Sequence, residues 1–284
     1  MKRLDPFVHL HSHTEYSLFD GISRIGELVS HVKEMGQTAL AITDHGVMYG
    51  AVYLYKECIK QGIKPIIGCE IYVTRGSRFD KSGNGKEKLA HLILLAENNE
   101  GYQNLIKICS KAWTEGYYHR PRADHELLEK YHEGLIVTSA CVGGEVPQAI
   151  LNGDMDEARK VIEFYINTFG KDNYFLEIQN HGLPEEAAVR PVLASLAKEY
   201  GLGLVATNDF HYTKKEDARS QEIKLCISTG KTLDDPYHFH FANDEFYCKS
   251  GDEMRAILGN FPGAIENTRV IADRCNVCLL YTSD

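Results

Sequence analysis

The chain has 284 residues, 43% of them hydrophobic, and its 31 Lys and Arg stand against 40 Asp and Glu, for a net charge of -9. These values are typical of a soluble globular protein with a substantial core, and the acidic balance argues against a protein that grips nucleic acid over its whole surface. The start MKRLDPF has no signal-peptide core, and no apolar run approaches the roughly 18 residues of a membrane span, so we expect a cytoplasmic protein without membrane contact.

Short β-rich runs alternate along the chain with longer segments whose apolar residues recur at helical spacing. The predicted strands cover residues 6–13, 39–43, 65–73, 91–96, 135–139, 174–179 and 203–207. The predicted helices between them cover residues 25–35, 51–61, 102–113, 155–169 and 185–200. Four helices are followed by a glycine at the position that favours a left-handed C-cap, namely Gly36, Gly62, Gly170 and Gly201.

This alternation predicts an α/β fold, a distorted TIM-like (βα)7 barrel whose functional groups gather at the carboxyl ends of the strands. The pattern changes after residue 215, where a helix over 216–227 is followed by a turn-rich segment, a short strand over 245–249 and a last helix over 263–275. We therefore predict a barrel domain over 1–215 and a small α+β extension over 216–277.

Three histidines lie at alternate positions of the first predicted strand, His9, His11 and His13, in the string HLHSH. Alternate residues of a strand project from one face, so these imidazoles can converge on one point. Converging imidazoles are typical ligands of zinc or manganese. The alternative is a run of surface histidines that binds no metal, or a remnant of a purification tag.

Further residues of metal-ligand type follow later strands, where a barrel collects its functional groups. The candidate ligands are His11, His13, Asp20, His45, Glu70, His91, Cys141, Asp209 and His211. They are too many for one tetrahedral ion and suit two or three ions bridged by a carboxylate or by hydroxide. His91 opens its strand instead of closing it, so either this strand runs against the others or its boundary is misplaced.

Such a cluster predicts a phosphoester hydrolase, because several divalent ions can neutralise a phosphate, lower the pKa of a bound water and stabilise the leaving oxygen. A single cysteine among the ligands favours zinc without excluding manganese. Taken one by one, each His or Cys is more often a packed or hydrogen-bonded residue than a ligand. The joint pattern favours the metal site.

Other polar groups carry weaker signals. Glu177 and His181 flank the sixth predicted strand and are candidates for orienting ligands. Four residues could reach a phosphate, although a solvated or packed role fits them equally well: Tyr16, Lys56, Arg120 and Arg122. The pairs His238 with His240 and Cys275 with Cys278 lack the context of a metal or redox site. The eight cysteines follow no disulfide spacing, so we expect free thiols.

A locally basic segment, residues 74–88, contains Arg75, Arg78, Lys81, Lys86 and Lys88. We interpret it as a solvated loop, with phosphate contact as the alternative.

Six strings resemble, in order and spacing, the polymerase and histidinol phosphatase (PHP) domain at the amino terminus of bacterial C-family replicative DNA polymerases. They are HLHSHTEYSLFDG, LAITDHGVMYG, KPIIGCEIYV, HLILLA, SACVGGEV and TNDFHY, and the later CISTGKTLDD and FYCKSGDEM fit the same polymerases. The family's first motif is Asp-x-His-x-His, so His9 takes the Asp position and is not expected to bind metal.

The resemblance implies three divalent ions, zinc or manganese, with magnesium as an alternative. One ion would be held by His11, His13, Glu70 and Asp209, and a second by Asp20, His45 and His211. A third would be held by Glu70, His91 and Cys141. The carboxylates Glu70, Asp20 and Asp209 would act as the catalytic metal-binding or metal-bridging groups.

By the same resemblance, the expected activity is 3′-5′ exonuclease proofreading on the 3′ end of a DNA primer. The expected partners are the remaining polymerase domains and replisome subunits. The polymerase palm would lie beyond residue 284, so the chain alone should not polymerise, and residues 278–284 depart from the family and are interpreted as a truncation or artefact. Two alternatives stay open: a metal-stabilised docking module without catalysis, and a standalone phosphomonoesterase.

Overall fold

The computed structural model describes residues 5–82 and 89–279. Within them the strands are β1 (Ala39–Ile42), β2 (Lys64–Val73), β3 (Ala90–Ala96), β4 (Arg122–Ala123), β5 (Leu135–Thr138), β6 (Tyr174–Ile178) and β7 (Gly203–Ala206). The helices are α1 (Ile25–Glu34), α2 (Ala51–Gln61), α3 (Asn99–Thr114), α4 (His125–Lys130), α5 (Glu145–Leu151), α6 (Met155–Phe169), α7 (Pro184–Tyr200), α8 (Ala218–Thr229), α9 (Gly251–Leu258) and α10 (Glu266–Arg274).

The strands form one curled sheet in the order β1-β2-β3-β5-β6-β7, with the short β4 on β2. Strand β3 runs antiparallel to β2 and to β5, whereas the other pairs are parallel. The first of the two explanations for His91 is therefore confirmed: its strand runs against the others. The reversal puts His91 beside Tyr72, near the carboxyl end of β2.

An extended segment at the start of the chain closes the sheet between β1 and β7. The predicted strand over 6–13 is wrong as a regular strand, because this segment makes single bridges to two different neighbours, His9 to Leu40 and Ser12 to Phe210. The amide of Ala41 donates to the carbonyl of His9 at 3.0 Å, and the amide of His13 donates to the carbonyl of Phe210 at 2.9 Å. The result is a distorted TIM-like barrel, which confirms the predicted fold class.

Alternation along the strands divides the core into two layers. On β3, Ile93 and Leu95 pack inside the barrel, whereas Leu92 and Leu94 pack against the surrounding helices. This is the period of two that a strand imposes on its side chains. Because both faces are covered, strands such as β1, β3 and β5 are almost continuous apolar runs.

The helix predictions of the barrel are confirmed, and all four predicted C-cap glycines have positive φ, between 63° and 86°. The predicted helices over 216–227 and 263–275 correspond to α8 and α10. The predicted strand over 245–249 is wrong, since only Tyr247 forms a bridge there, to Tyr212. Helices α4, α5 and α9 went unpredicted, although α9 begins with a capping box between Ser250 and Glu253.

The domain boundary near residue 215 stays a prediction. Ile271 and Cys275, beyond that boundary, pack in the same cluster as the barrel residues Val8 and Leu10. All eight cysteines are free thiols. No described helix is long and apolar enough to cross a bilayer. Residues 280–284 of the predicted artefactual tail lie outside the described residues.

The basic segment is only partly a solvated loop. Arg78 is buried and pairs with Asp124 at 2.8 Å and Glu115 at 2.9 Å, because a buried guanidinium requires carboxylate partners. Arg75 and Lys81 are exposed. Lys86 and Lys88 lie outside the described residues.

The start of α3 depends on close backbone packing. Asn98 caps the helix by accepting a hydrogen bond from the amide of Gly101 at 2.9 Å. A Cβ on Gly101 would lie 1.7 Å from the carbonyl oxygen of Gly134, and backbone cannot swing aside as a side chain can. Only glycine therefore fits at this contact between α3 and the entry to β5.

We expect Gly101→Ala to lower the free energy of unfolding by at least ~2 kcal/mol, because the clash forces a backbone shift in a packed interface. Gly76→Ala is the matched control, since a Cβ there meets nothing within 4 Å; its effect should stay below ~0.5 kcal/mol. Urea unfolding followed by circular dichroism measures both. Equal stability of the two variants would contradict the described packing.

Candidate metal centre

Four buried side chains meet at the centre of the barrel mouth: His11, His13, Glu70 and Asp209. Their potential ligand atoms all lie within 4.8 Å of one another. The Nε2 atom of His13 lies 3.1 Å from Glu70 and 2.9 Å from Asp209, and that of His11 lies 3.4 Å and 3.1 Å from the same carboxylates. The closing segment, β2 and the loop after β7 thus each contribute to one potential ion site.

His13 also belongs to a second group of potential ligands. His13, His45 and His211 form a set whose ligand atoms lie within 4.8 Å of one another, and the ring of His13 stacks on both of the others. Asp20 belongs to the same place, with its Oδ2 atom 3.3 Å from Nε2 of His45 and 3.7 Å from Nε2 of His211.

Glu70 links these residues to a third group, which contains His91 and Cys141. Oε1 of Glu70 lies 2.5 Å from Nδ1 of His91, and the Sγ atom of Cys141 lies 3.6 Å from the same nitrogen. Glu70 was expected at a strand end but lies inside β2. Because β2 pairs with β1 only over 64–67, Glu70 still projects beyond the carboxyl end of β1.

The structure therefore brings all nine candidate ligands together. Several of their buried polar atoms have no hydrogen-bond partner: His13 Nε2, Asp20 Oδ1, His45 Nδ1, Glu70 Oε1 and Asp209 Oδ1. Buried polar atoms without partners are rare and call for an explanation such as a bound ion. Imidazole nitrogens and carboxylate oxygens that face one another without hydrogen-bond geometry fit divalent cations. The donor set of the site is thus compatible with metal binding.

The pKa values of the site residues reflect two opposing effects, burial and the charges of neighbouring side chains. Burial alone would lower the pKa of His11 and of His45, but neighbouring carboxylates outweigh it and raise both pKa values well above the usual range. Burial alone would raise the pKa of Glu70, but three imidazoles hold it well below its usual range. Burial and a neighbouring histidine lower the pKa of His211 to about 4. The imidazoles around Glu70 therefore favour the charged form of its carboxylate.

A second layer of hydrogen bonds orients the imidazoles, as is usual around metal-binding histidines. Nδ1 of His11 donates to Glu177 at 2.6 Å, and the hydroxyl groups of Thr138 and Thr207 also donate to this carboxylate. These bonds leave Nε2 of His11 directed at the centre. Glu177 had been singled out from the sequence for this kind of contact.

A comparable network around His13 was missed. Ser17 Oγ accepts from Nδ1 of His13 at 3.0 Å and donates to Asp44 at 2.8 Å, while Asp44 also accepts from the amide of Thr14 at 2.7 Å. Asp44 immediately precedes the candidate ligand His45, and that position is the one signal in the sequence that could have revealed it. His211 is oriented locally, by donation from its Nδ1 to the carbonyl of Asp209 at 2.9 Å.

Two site residues adopt backbone conformations that side chains disfavour. Asp209 has φ 39° and Ala140, next to Cys141, has φ 59°. Such left-handed residues cluster at functional sites, where the surrounding structure holds them in place. His181 helps to hold the backbone in front of Asp209, since its Nε2 donates to the carbonyl of Asn208 at 2.7 Å.

The other sequence candidates lie apart from the three groups. His9 contacts the carbonyl of Lys249 at 2.7 Å and none of the candidate ligands. His238 pairs with Glu222 at 2.8 Å. Lys56 is exposed on α2, and the guanidinium of Arg122 is occupied by the carbonyls of Gly116 and Arg78.

A cleft of about 630 Å³ opens beside the centre, and Asp20, His45 and His91 form part of its wall. Tyr16, Arg120 and Arg122, three of the four residues considered for phosphate contact, also line it. Much of the remaining wall is aromatic, which the sequence did not indicate because these rings come from distant segments. The cleft gives a substrate direct access to the candidate ligands.

Comparison with known proteins agrees with this site. Residues 9–181 match the PHP domain family. The chain is 49% identical to the DNA polymerase III subunit alpha of Treponema pallidum over 95% of its length, and 48% identical to that of Thermus aquaticus over 96%. It spans only 23% of each relative. An amidohydrolase structure from Chromobacterium violaceum covers 76% of this chain and 96% of its own, at 15% identity and a TM-score of 0.49, a likeness too distant to bear on function.

The resemblance seen in strings such as HLHSHTEYSLFDG and TNDFHY is thus confirmed. The family match covers well over half of the residues and includes the candidate ligands from His11 to Cys141. The chain belongs to the PHP domain family.

Proposed function

We propose that this chain carries a metal-dependent phosphodiesterase site that removes nucleotides from the 3′ end of a DNA strand, as part of a longer replicative polymerase. The observation that carries the proposal is the convergence of nine side chains of ligand type at a barrel mouth that opens on a cleft. The polymerase relatives support the setting, with a primer 3′ end as substrate and with the remaining polymerase domains and replisome subunits as partners.

Three ions fit the three groups of residues. His11, His13, Glu70 and Asp209 would hold the first, Asp20, His45 and His211 the second, and Glu70, His91 and Cys141 the third. The thiolate and the many imidazoles favour zinc, and the carboxylates admit manganese or magnesium. When bound, such ions neutralise phosphate charge, lower the pKa of a bound water and stabilise the leaving oxygen.

In the proposed reaction, water adds to the phosphorus of the last phosphodiester, and the bond from that phosphorus to the preceding 3′ oxygen breaks. The proton of the water ends on this 3′ oxygen, so the products are a 5′-nucleotide and a strand with a free 3′ hydroxyl. Within the chain, Asp20, His45 and His91 face the cleft and therefore the substrate. Glu70 is buried behind them and holds His45 and His91 in position. No side-chain nucleophile is required.

A catalytically silent, metal-stabilised module is the second candidate. One observation favours it: His11 and His13 belong to the segment that closes the barrel, Glu70 lies on β2 next to the edge strand β1, and Asp209 lies in the loop after the other edge strand, β7. A bound ion would therefore tie the barrel together, and metal binding contributes to folding whether or not catalysis occurs.

Replacing a ligand separates these candidates. We expect His11→Ala to lose bound metal and to slow the excision of a mispaired 3′ nucleotide by more than ~100-fold, which exceeds the 10- to 100-fold effect of residues that only orient ligands. Elemental analysis and a gel assay measure the two effects. His132→Ala is the control, because His132 contacts the carbonyl of Glu129 and lies outside the ligand groups.

The wild-type result decides between the functions. Metal binding without excision would favour the structural candidate, and preference for a phosphomonoester over a DNA end would favour a standalone phosphatase. If His11→Ala excised nucleotides as fast as the wild type, the proposed site would be wrong.

Glu177 offers a test of the orienting network. We expect Glu177→Gln to weaken metal affinity by about 10- to 100-fold, because the neutral amide no longer fixes the charge and tautomer of His11. Titration with a competing chelator measures the affinity. Asp124→Asn is the matched control: it also neutralises a buried carboxylate, but one that pairs with Arg78 and touches no candidate ligand. Equal metal affinity of both variants would contradict the role of Glu177.

A further inference from the structure

The cleft beside the metal centre contains a pair of stacked, half-exposed aromatic rings. Trp113 and Tyr117 lie with their ring centroids 5.3 Å apart and their planes only 12° from parallel. Their side chains are 41% and 47% exposed, which is high for rings of this size. A flat, exposed aromatic surface in a cleft is suited to stacking on another planar group.

The position of this aromatic pair is fixed relative to the candidate ligands. The indole nitrogen of Trp113 donates to the carbonyl of Gly46 at 2.8 Å. Gly46 immediately follows His45, and its amide donates to the carbonyl of Glu70 at 2.7 Å. A Cβ on Gly46 would lie 2.7 Å from the side chain of Pro121, so the backbone at Gly46 is closely packed against its neighbours. The aromatic pair is therefore held by the same turn that presents His45.

A cation, Arg120, lines the same cleft as the aromatic pair. The guanidinium of Arg120 lies 5.4 Å from the ring centre of Phe19 and 5.7 Å from that of Tyr72, and Tyr72 in turn stacks on His45 at 6.1 Å. Arg120 is exposed and forms no ion pair with any carboxylate of the described residues. Its charge is thus available to an anionic ligand in the cleft.

We propose that this cleft is a subsite for unpaired nucleotides of a single-stranded polynucleotide, with a base stacked on Trp113 and Tyr117 and a backbone phosphate at Arg120. This inference rests on the proposed function and specifies its substrate. The aromatic pair offers a stacking surface for a base and Arg120 a charge for a phosphate, and the cleft that both line also contains the candidate ligands Asp20, His45 and His91. A base within a duplex has no free face to stack, so the subsite selects unpaired ends.

The sole tryptophan of the chain makes the contact directly observable. Stacking of a base on Trp113 should quench its fluorescence. The experiment titrates the full chain with a thymidine decamer in chelator, so that the strand stays intact, or with a 3′ phosphorothioate strand and metal if chelation alters the circular dichroism spectrum. We expect saturable quenching by the decamer and none by an abasic decamer of the same charge. Equal quenching by both strands, or by neither, would overturn the inference.

Variants give the affinity. By anisotropy of a labelled decamer, Tyr117→Ala should weaken binding by about 5- to 100-fold, the loss typical of one stacked base, and Trp113→Phe should retain most of the affinity. Tyr53→Ala is the control, since Tyr53 is also exposed but lies on α2 outside the cleft. Unchanged affinity in Tyr117→Ala and in Trp113→Leu would refute the subsite.

Hydrolysis of a small phosphodiester, bis(p-nitrophenyl) phosphate, separates this inference from the proposed function. If the small ester is cleaved but the strand neither quenches Trp113 nor depends on Tyr117, the subsite is refuted and the phosphodiesterase stands. If the strand binds and quenches but neither substrate is cleaved, the subsite stands and the phosphodiesterase fails.

Discussion

The buried carboxylate of Glu70 is the constraint on which the site depends. It is only 1% exposed, and a buried charge is tolerated only when opposite charge or hydrogen bonds surround it. Imidazoles provide that surrounding, with His45 at 2.9 Å, His91 at 2.5 Å, His13 at 3.1 Å and His11 at 3.4 Å. These histidines come from three separate parts of the chain, so one carboxylate ties together the closing segment, the residues after β1 and the start of β3.

The reversed strand β3 follows from the same requirement. In a regular barrel of parallel strands, the first residue of a strand lies at the end opposite the functional groups. His91 is the second residue of β3, and only an antiparallel β3 brings it beside the carboxyl end of β2. The same reversal lets Cys141, which follows β5, approach His91 to 3.6 Å. The departure from the regular barrel is thus what completes the third group of candidate ligands.

Features carried by local periodicity were predictable from the sequence, and features that depend on distant contacts were not. The amphipathic helices and apolar strands follow from spacing alone, and the glycine caps follow from the left-handed backbone that ends a helix. The closing segment looked like a strand because its residues alternate, but its bridges go to two different neighbours, which no local pattern encodes. The contact of Asp44 with Ser17, and the cleft walls from residues near 19, 72, 117 and 239, depend on the assembled barrel in the same way.

The net charge of the chain limits how it could bind a polynucleotide. The chain carries a net charge of -9, which argues against binding of a polynucleotide through phosphate contacts spread over its whole surface. In the proposed subsite, stacking on neutral rings and contact with the single cation Arg120 would avoid that limit. Such a subsite reads no sequence, since every base has an aromatic face. Discrimination between matched and mispaired ends would then come from the DNA itself: a mispaired end costs less to unpair, and so reaches the cleft more often. A subsite that binds only nucleotides that are already unpaired would need no contact that recognises the mismatch itself.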